Sequence, residues 1–162
     1  MIRRLILLTL CLFPFQVPAG PPVAADPDLL YEYRIAQLGK TTPIELVYNA
    51  EVRRYIDLYT GARRADMARI IGLSKRYFPV FEEALDRSGL PHELEYLTIV
   101  ESGLDPLAVS KSGAVGLWQF LLNTARLFDL EVTSLVDERS DLYKSTDRKS
   151  TRLNSSHIAV SR

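Results

Sequence analysis

The sequence predicts an all-α fold with no substantial sheet. Three observations carry that expectation. Apolar residues recur at helical spacing from Ile44 to Phe128, no stretch alternates convincingly as a strand would, and Gly61, Gly89, Pro91 and Gly103 punctuate the chain at helix-length intervals. A length of 162 residues, 47% hydrophobic and 25% charged, suits one globular domain.

Residues 1–25 read as a secretory signal. Arg3 and Arg4 give the positive start, Leu5 to Phe15 the apolar stretch, and Ala19 and Ala25 end small-residue cleavage sites. The apolar run is shorter than the ~20 residues a membrane span needs. Cys11, the only cysteine, lies inside it, behind a bulky Leu10 that fits a lipid-attachment site poorly. The mature chain is therefore expected to be exported to the periplasm or cell envelope without a disulfide. Residues 26–43 read as a linker and N-terminal segment.

The first helix is expected from Thr42-Pro43 to Gly61, with Ile44, Val47, Tyr48, Val52, Tyr55, Ile56 and Tyr59 on its stripe. A second is expected from Asp66 to Tyr77, and a third opening at Pro79 and stopping at Gly89. The aromatics Tyr48, Tyr55, Tyr59, Tyr77, Phe78 and Phe81 suit a sugar groove, but at helical spacing core packing is the better reading. Arg53-Arg54 and Arg63-Arg64 read as solvated faces.

Net charge over the whole chain is zero, but the flanks distort it. Residues 1–25 hold two of the 20 bases and residues 148–162 hold four, with no acid in either, so residues 26–147 carry 14 bases against 20 acids, or −6. An acidic body without a dense basic run excludes nucleic acid as the main partner. With no cysteine left after processing and His92 the only histidine of the body, no metal site and no cofactor are expected.

Pro91 to Ser102 reads as one helix with Pro at its first position. Leu94, Leu97, Thr98 and Glu101 share a face. An acid ending an apolar stripe is expected to be partly desolvated, which favours the protonated form a proton donor needs. Glu93 and Glu95, near the helix start, are weaker candidates. Taken alone, Glu101 is one of 20 acids, and spacing does not single it out decisively.

Leu104-Asp105-Pro106 and Ser110-Lys111-Ser112-Gly113 read as turns, and a new helix is expected from about Ala114. Gly116 removes a side chain where a ligand or another backbone comes close. Gln119 offers an amide suited to hydroxyl and N-acetyl groups. The bland alternatives are a surface Gln119 and a core Trp118.

Glu101-Ser102-Gly103, Pro106, Ala108, Ser110, Gly113-Ala114 and Gly116-Leu117-Trp118-Gln119-Phe120 together resemble the catalytic signature of lytic transglycosylases with a goose-type lysozyme-like domain. The resemblance covers residues 44–147 and is densest over 90–147. It implies an enzyme acting on peptidoglycan glycan strands. That family cleaves the β-1,4 bond between N-acetylmuramic acid and N-acetylglucosamine without water and leaves a 1,6-anhydro end. By the resemblance Glu101 is the single catalytic acid, while Ser102, Ser110, Gly116, Trp118 and Gln119 contact or position the saccharide. A single acid is intelligible there, because the sugar's own C6 hydroxyl replaces the second carboxylate of ordinary glycosidases. The chain departs from the family pattern at Leu121-Leu122, Asp129, Ser140 and Leu142.

Residues 148–162, RKSTRLNSSHIAVSR, are polar, lack an apolar helical stripe, and resemble translated adapter or vector sequence. On that reading the lysozyme-like domain, residues 44–147, is cut short of its Tyr-containing motif and of any wall-binding repeats, and His157 carries no role. Partners beyond the glycan are peripheral membrane or cell-wall association; nothing indicates an oligomeric state. The competing functions are a non-catalytic peptidoglycan-binding protein of the same fold and a hydrolytic lysozyme.

Overall fold

The computed structural model describes residues 26–160, with side chains to residue 155. The export-signal reading of residues 1–25 lies outside the described residues. The helices are α1 (Pro27–Leu38), α2 (Ala50–Thr60), α3 (Arg64–Arg87), α4 (Leu97–Ser102), α5 (Leu122–Leu127) and α6 (Leu142–Val160), with short 3-10 segments at His92–Tyr96 and Glu138–Ser140. Among the described residues there is no strand; Val109 bridges Val115, Val115 bridges Phe120, and Val132 bridges Asp137. The all-α expectation holds.

Helix α3 organises the core. Ile70, Tyr77, Phe81, Ala84 and Leu85 are its buried face. Of these, Ile70, Tyr77 and Phe81 cluster with Leu104, Leu117, Trp118, Phe120, Ala125 and Leu130 from the following stretch. Phe81 stands edge-on to Trp118, with ring centroids 5.1 Å apart. The expected break at Pro79 does not occur: α3 runs through it for 24 residues. An interior proline costs about 3 kcal/mol, but each buried Tyr77, Phe81 or Leu85 returns roughly 1.5–3 kcal/mol. Burial on both sides of Pro79 therefore favours continuity, and Pro79 itself is exposed, where water can satisfy the carbonyl it frees. The predicted stop at Gly89 is present. Gly89 sits at φ 63, and the Leu90 amide bonds the Leu85 carbonyl while the Gly89 amide bonds that of Asp86.

The N-terminal helices are peripheral, and neither has a buried residue. Helix α1 occupies the stretch read as linker, started by the Asp26 carboxylate accepting from the Asp28 amide at 2.9 Å. Helix α2 begins at Ala50, later than expected. Asn49 caps it through the Val52 amide at 2.9 Å, whereas the Thr42 hydroxyl closes a local turn to the Ile44 amide. Consequently Tyr55 lies half in solvent and Tyr48 and Tyr59 are only part-buried, so core packing holds for the α3 aromatics and not for these. The arginine pairs are surface features as expected: Arg53 pairs with Asp28 and Asp57, Arg54 with Glu51, and Arg63 with Asp66.

Helix α6 packs on α3 and continues to Val160, through the polar stretch that lacks an apolar stripe. No apolar stripe is needed. Its inward positions are Ser145, Thr146, Lys149 and Ser150, all buried. Thr146 and Ser150 donate back to the Leu142 and Thr146 carbonyls at 2.6 and 3.0 Å, so their hydroxyls are satisfied within the helix.

Candidate active site

The segment ahead of Glu101 is not one helix. Pro91 has ψ 137 and stays extended, a 3-10 turn follows from His92 to Tyr96, and α4 holds only Leu97–Ser102. Of the face shared by Leu94, Leu97, Thr98 and Glu101, only Thr98 is buried; Glu101 is exposed. The expected desolvation of Glu101 is therefore absent: the apolar stripe splits when the first turn tightens to three residues per turn. Gly103, at φ 62, ends α4 and sends Leu104 into the core, which leaves Glu101 on the open side of the last turn.

The desolvated acid is instead Glu95. It is 5% exposed, and its Oε2 finds no hydrogen-bond partner among the described residues. Burial pushes its carboxyl up to about 7, Glu82 on α3 adds to that, and His92 opposes it. His92 is in turn held above its ordinary value by its bond to the Asp86 carboxylate at 2.6 Å.

Beyond Gly103 the chain makes the two expected turns. The Asp105 carboxylate accepts from the Leu107 amide at 2.9 Å and is engaged there. Ser110 accepts from the Ala114 amide at 3.0 Å and meets the Ser112 hydroxyl, so its hydroxyl serves the turn. The helix expected from Ala114 is not formed before Leu122. Val115 and Phe120 exchange both backbone bonds at 3.1 Å, and Gly116 and Gln119 have φ 85 and 49, outside the helical region.

This hairpin-like loop holds Gly116, Trp118 and Gln119. Gly116 is close to another backbone rather than to an open groove: a Cβ there would lie 1.9 Å from the Arg139 carbonyl oxygen. Trp118 is core, 1% exposed, with its indole donating to Thr146 at 2.9 Å, so it has no free face for a sugar. Gln119 is part-buried, and its amide NH2 donates to the Ala108 and Gly116 carbonyls at 3.2 and 2.9 Å. Both donors are used inward. Ser102 donates to the Thr98 and Leu117 carbonyls at 2.9 and 3.1 Å. It ties the end of α4, beside Glu101, to this loop.

Two residues outside the signature also reach the loop. Lys149 is buried and donates to the Trp118 carbonyl at 3.2 Å, with its ammonium 5.6 Å from the Trp118 ring centre. Burial holds that ammonium below its ordinary range, and the Glu101 charge works in the opposite direction. Arg139 is 8% exposed and grips the Asp137 carboxylate as well as two loop carbonyls. Neither stands in an apolar pattern, and nothing short of the folded chain brings them to this loop. Among the described residues no cluster of three His, Cys, Asp or Glu side chains could hold a metal, and no helix is long and apolar enough to cross a membrane.

Residues 78–157 match the family model described as the transglycosylase SLT domain. Over 60 residues the chain is 42% identical to membrane-bound lytic murein transglycosylase D of Escherichia coli K12, a stretch that is 37% of this chain and 13% of that protein. The protein of the same name from Escherichia coli O6:H1 matches over the same length at the same identity, again over 13% of its own length. The chain thus spans a small part of the curated relatives it matches.

Proposed function

We propose, from the match of residues 78–157 to the transglycosylase SLT domain model, that this chain belongs to an exported peptidoglycan lytic transglycosylase in which Glu101 is the general acid and base. The observation that supports this best is the Ser102 bond to the Leu117 carbonyl, 3.1 Å, which joins the open end of α4 to the signature loop. A glycan lying along that junction meets the Glu101 carboxyl on one side and the Gln119 Oε1 on the other. Covered by the sugar, Glu101 loses the water it has in the free protein, and its protonated form is favoured.

In the first step the Glu101 carboxylic acid gives its proton to the oxygen linking N-acetylmuramic acid to N-acetylglucosamine, and the bond from C1 to that oxygen breaks. In the second the Glu101 carboxylate takes the C6 hydroxyl proton while O6 bonds to C1. The acid is restored, no water enters, and a 1,6-anhydro end is left. Asp105, bound into its turn, is not the nucleophile. Gln119, with both N–H groups engaged inward, accepts from a sugar hydroxyl or N-acetyl N–H. Ser102, and Ser110 through its turn, act by holding the loop. The relatives' name adds a membrane-bound setting, and peripheral attachment at the cell envelope fits the predicted export signal.

The test incubates wild type and Glu101→Gln with purified peptidoglycan and weighs the released muropeptides. Products lighter by one water than hydrolytic ones, lost in the variant, support the reading. Water-added products convert it to a lysozyme. No release from folded wild type favours a wall-binding protein.

A further inference from the structure

The loop between Gly113 and Phe120 is held from two sides. Ser102 reaches it from the Glu101 side. From the other side comes Arg139, whose guanidinium has four separate tasks. Its Nε donates to Asp137 Oδ1 at 2.8 Å and one terminal nitrogen to Asp137 Oδ2 at 2.6 Å, a two-pronged carboxylate pair. The other terminal nitrogen donates to the Gly113 carbonyl at 3.0 Å and to the Phe120 carbonyl at 3.3 Å. Those two carbonyls bracket the loop. Between them, Gly116 rests against the Arg139 main chain so closely that no side chain fits. Asp137 also accepts from the Arg139 amide at 3.1 Å, which fixes the base from which the arginine projects.

We propose that Arg139, oriented by Asp137, is a positioning residue for the reaction proposed above: it sets where the loop that carries Gln119 stands relative to Glu101. The inference rests on that functional reading. The physical ground is the fork. A guanidinium presents fixed, planar donors, so the pair with Asp137 dictates where the third nitrogen points, and that nitrogen dictates the separation of Gly113 and Phe120. Lysine keeps the charge but has neither the plane nor enough fixed donors to hold a carboxylate and two carbonyls together. A displacement of about 1 Å between reacting groups can cost on the order of a hundredfold in rate.

The experiment uses the full chain as wild type, Arg139→Lys and Asp137→Asn. Backbone amide exchange is followed residue by residue, and kcat and KM are measured on solubilised glycan strands. In Arg139→Lys the Val115, Gly116 and Phe120 amides are expected to exchange at least about tenfold faster while those of α3 stay unchanged, with kcat down roughly ten- to a hundredfold and KM within about twofold. Asp137→Asn, which keeps the arginine and loosens only its orientation, moves the same quantities less, and it decides the matter if the lysine variant does not fold. Uniformly faster exchange with kcat and KM both degraded makes Arg139 merely structural and overturns the proposal. So does unchanged loop exchange. A wild type that releases nothing sinks the functional reading and with it any role of Arg139 in that reaction, while loop exchange still reports separately whether Arg139 sets the loop.

Discussion

The Arg139 carbonyl oxygen occupies the space into which a side chain at Gly116 would project, 1.9 Å from an ideal Cβ. Gly116 also sits at φ 85. Gly116→Ala meets both a backbone clash and an unfavourable dihedral, and neither yields by a side-chain rotation. The expected loss is roughly 3 kcal/mol of stability. Because Trp118 is the only tryptophan and lies two residues away, thermal unfolding followed by its emission reads the change directly.

Ser102→Ala removes the hydroxyl that links α4 to the Leu117 carbonyl. The deletion costs about 1 kcal/mol, a few degrees in Tm, and releases the loop beside Glu101. Under the proposed function, muropeptide release is expected to fall about tenfold with little change in KM. Glu101→Gln, at an exposed position, shifts stability by no more than about 0.5 kcal/mol, so calorimetry separates the two variants even where both lose activity.

Gln119→Glu places a carboxylate oxygen where the amide nitrogen now donates to the Ala108 and Gly116 carbonyls. Two bonds become repulsive contacts, and about 2 kcal/mol of stability is expected to be lost at neutral pH. Much of it returns as the new carboxyl is protonated, and a denaturant titration at two pH values checks this.

Glu95 makes the protein less stable as pH rises. Its folded value is pushed up to about 7 against an ordinary 4.5, so between those values the unfolded chain has released a proton that the folded chain keeps. The stabilisation of the protonated form is complete below about pH 4.5 and is lost as pH climbs through about 7. His92, raised by Asp86, acts in the same direction. Glu95→Gln keeps the shape without the charge, and is expected to raise Tm by several degrees at pH 8 and hardly at all at pH 5. A Tm series from pH 4 to 8 on both proteins would sink this if the two curves ran parallel.

Much of the fold and part of the site were legible in the residues. Gly89 and Gly103 end their helices as read, because a left-handed stop is a local requirement that glycine announces. The helix boundaries at Asn49 and the passage of α3 through Pro79 were not legible from spacing, since a cap competes with other caps, and an interior proline is tolerated only if burial on either side outweighs it. Trp118 could be weighed between core and groove but not assigned, because both readings place the same aromatic at the same spacing.

By itself the sequence determined that the chain is helical and that its body is acidic. These follow from the period of the apolar residues and from composition, whereas the grouping of Glu101, Ser102 and Gln119 in one signature is what the resemblance to a known family implies. Only the tertiary structure decided that Glu95 is buried and Glu101 is not, that Gly116 yields to the Arg139 backbone, that α6 buries hydroxyls in place of an apolar stripe, and that Arg139 and Asp137 brace the loop. Each of those depends on groups far apart in sequence meeting at a few ångströms, where desolvation and hydrogen-bond geometry, not local propensity, set the energy.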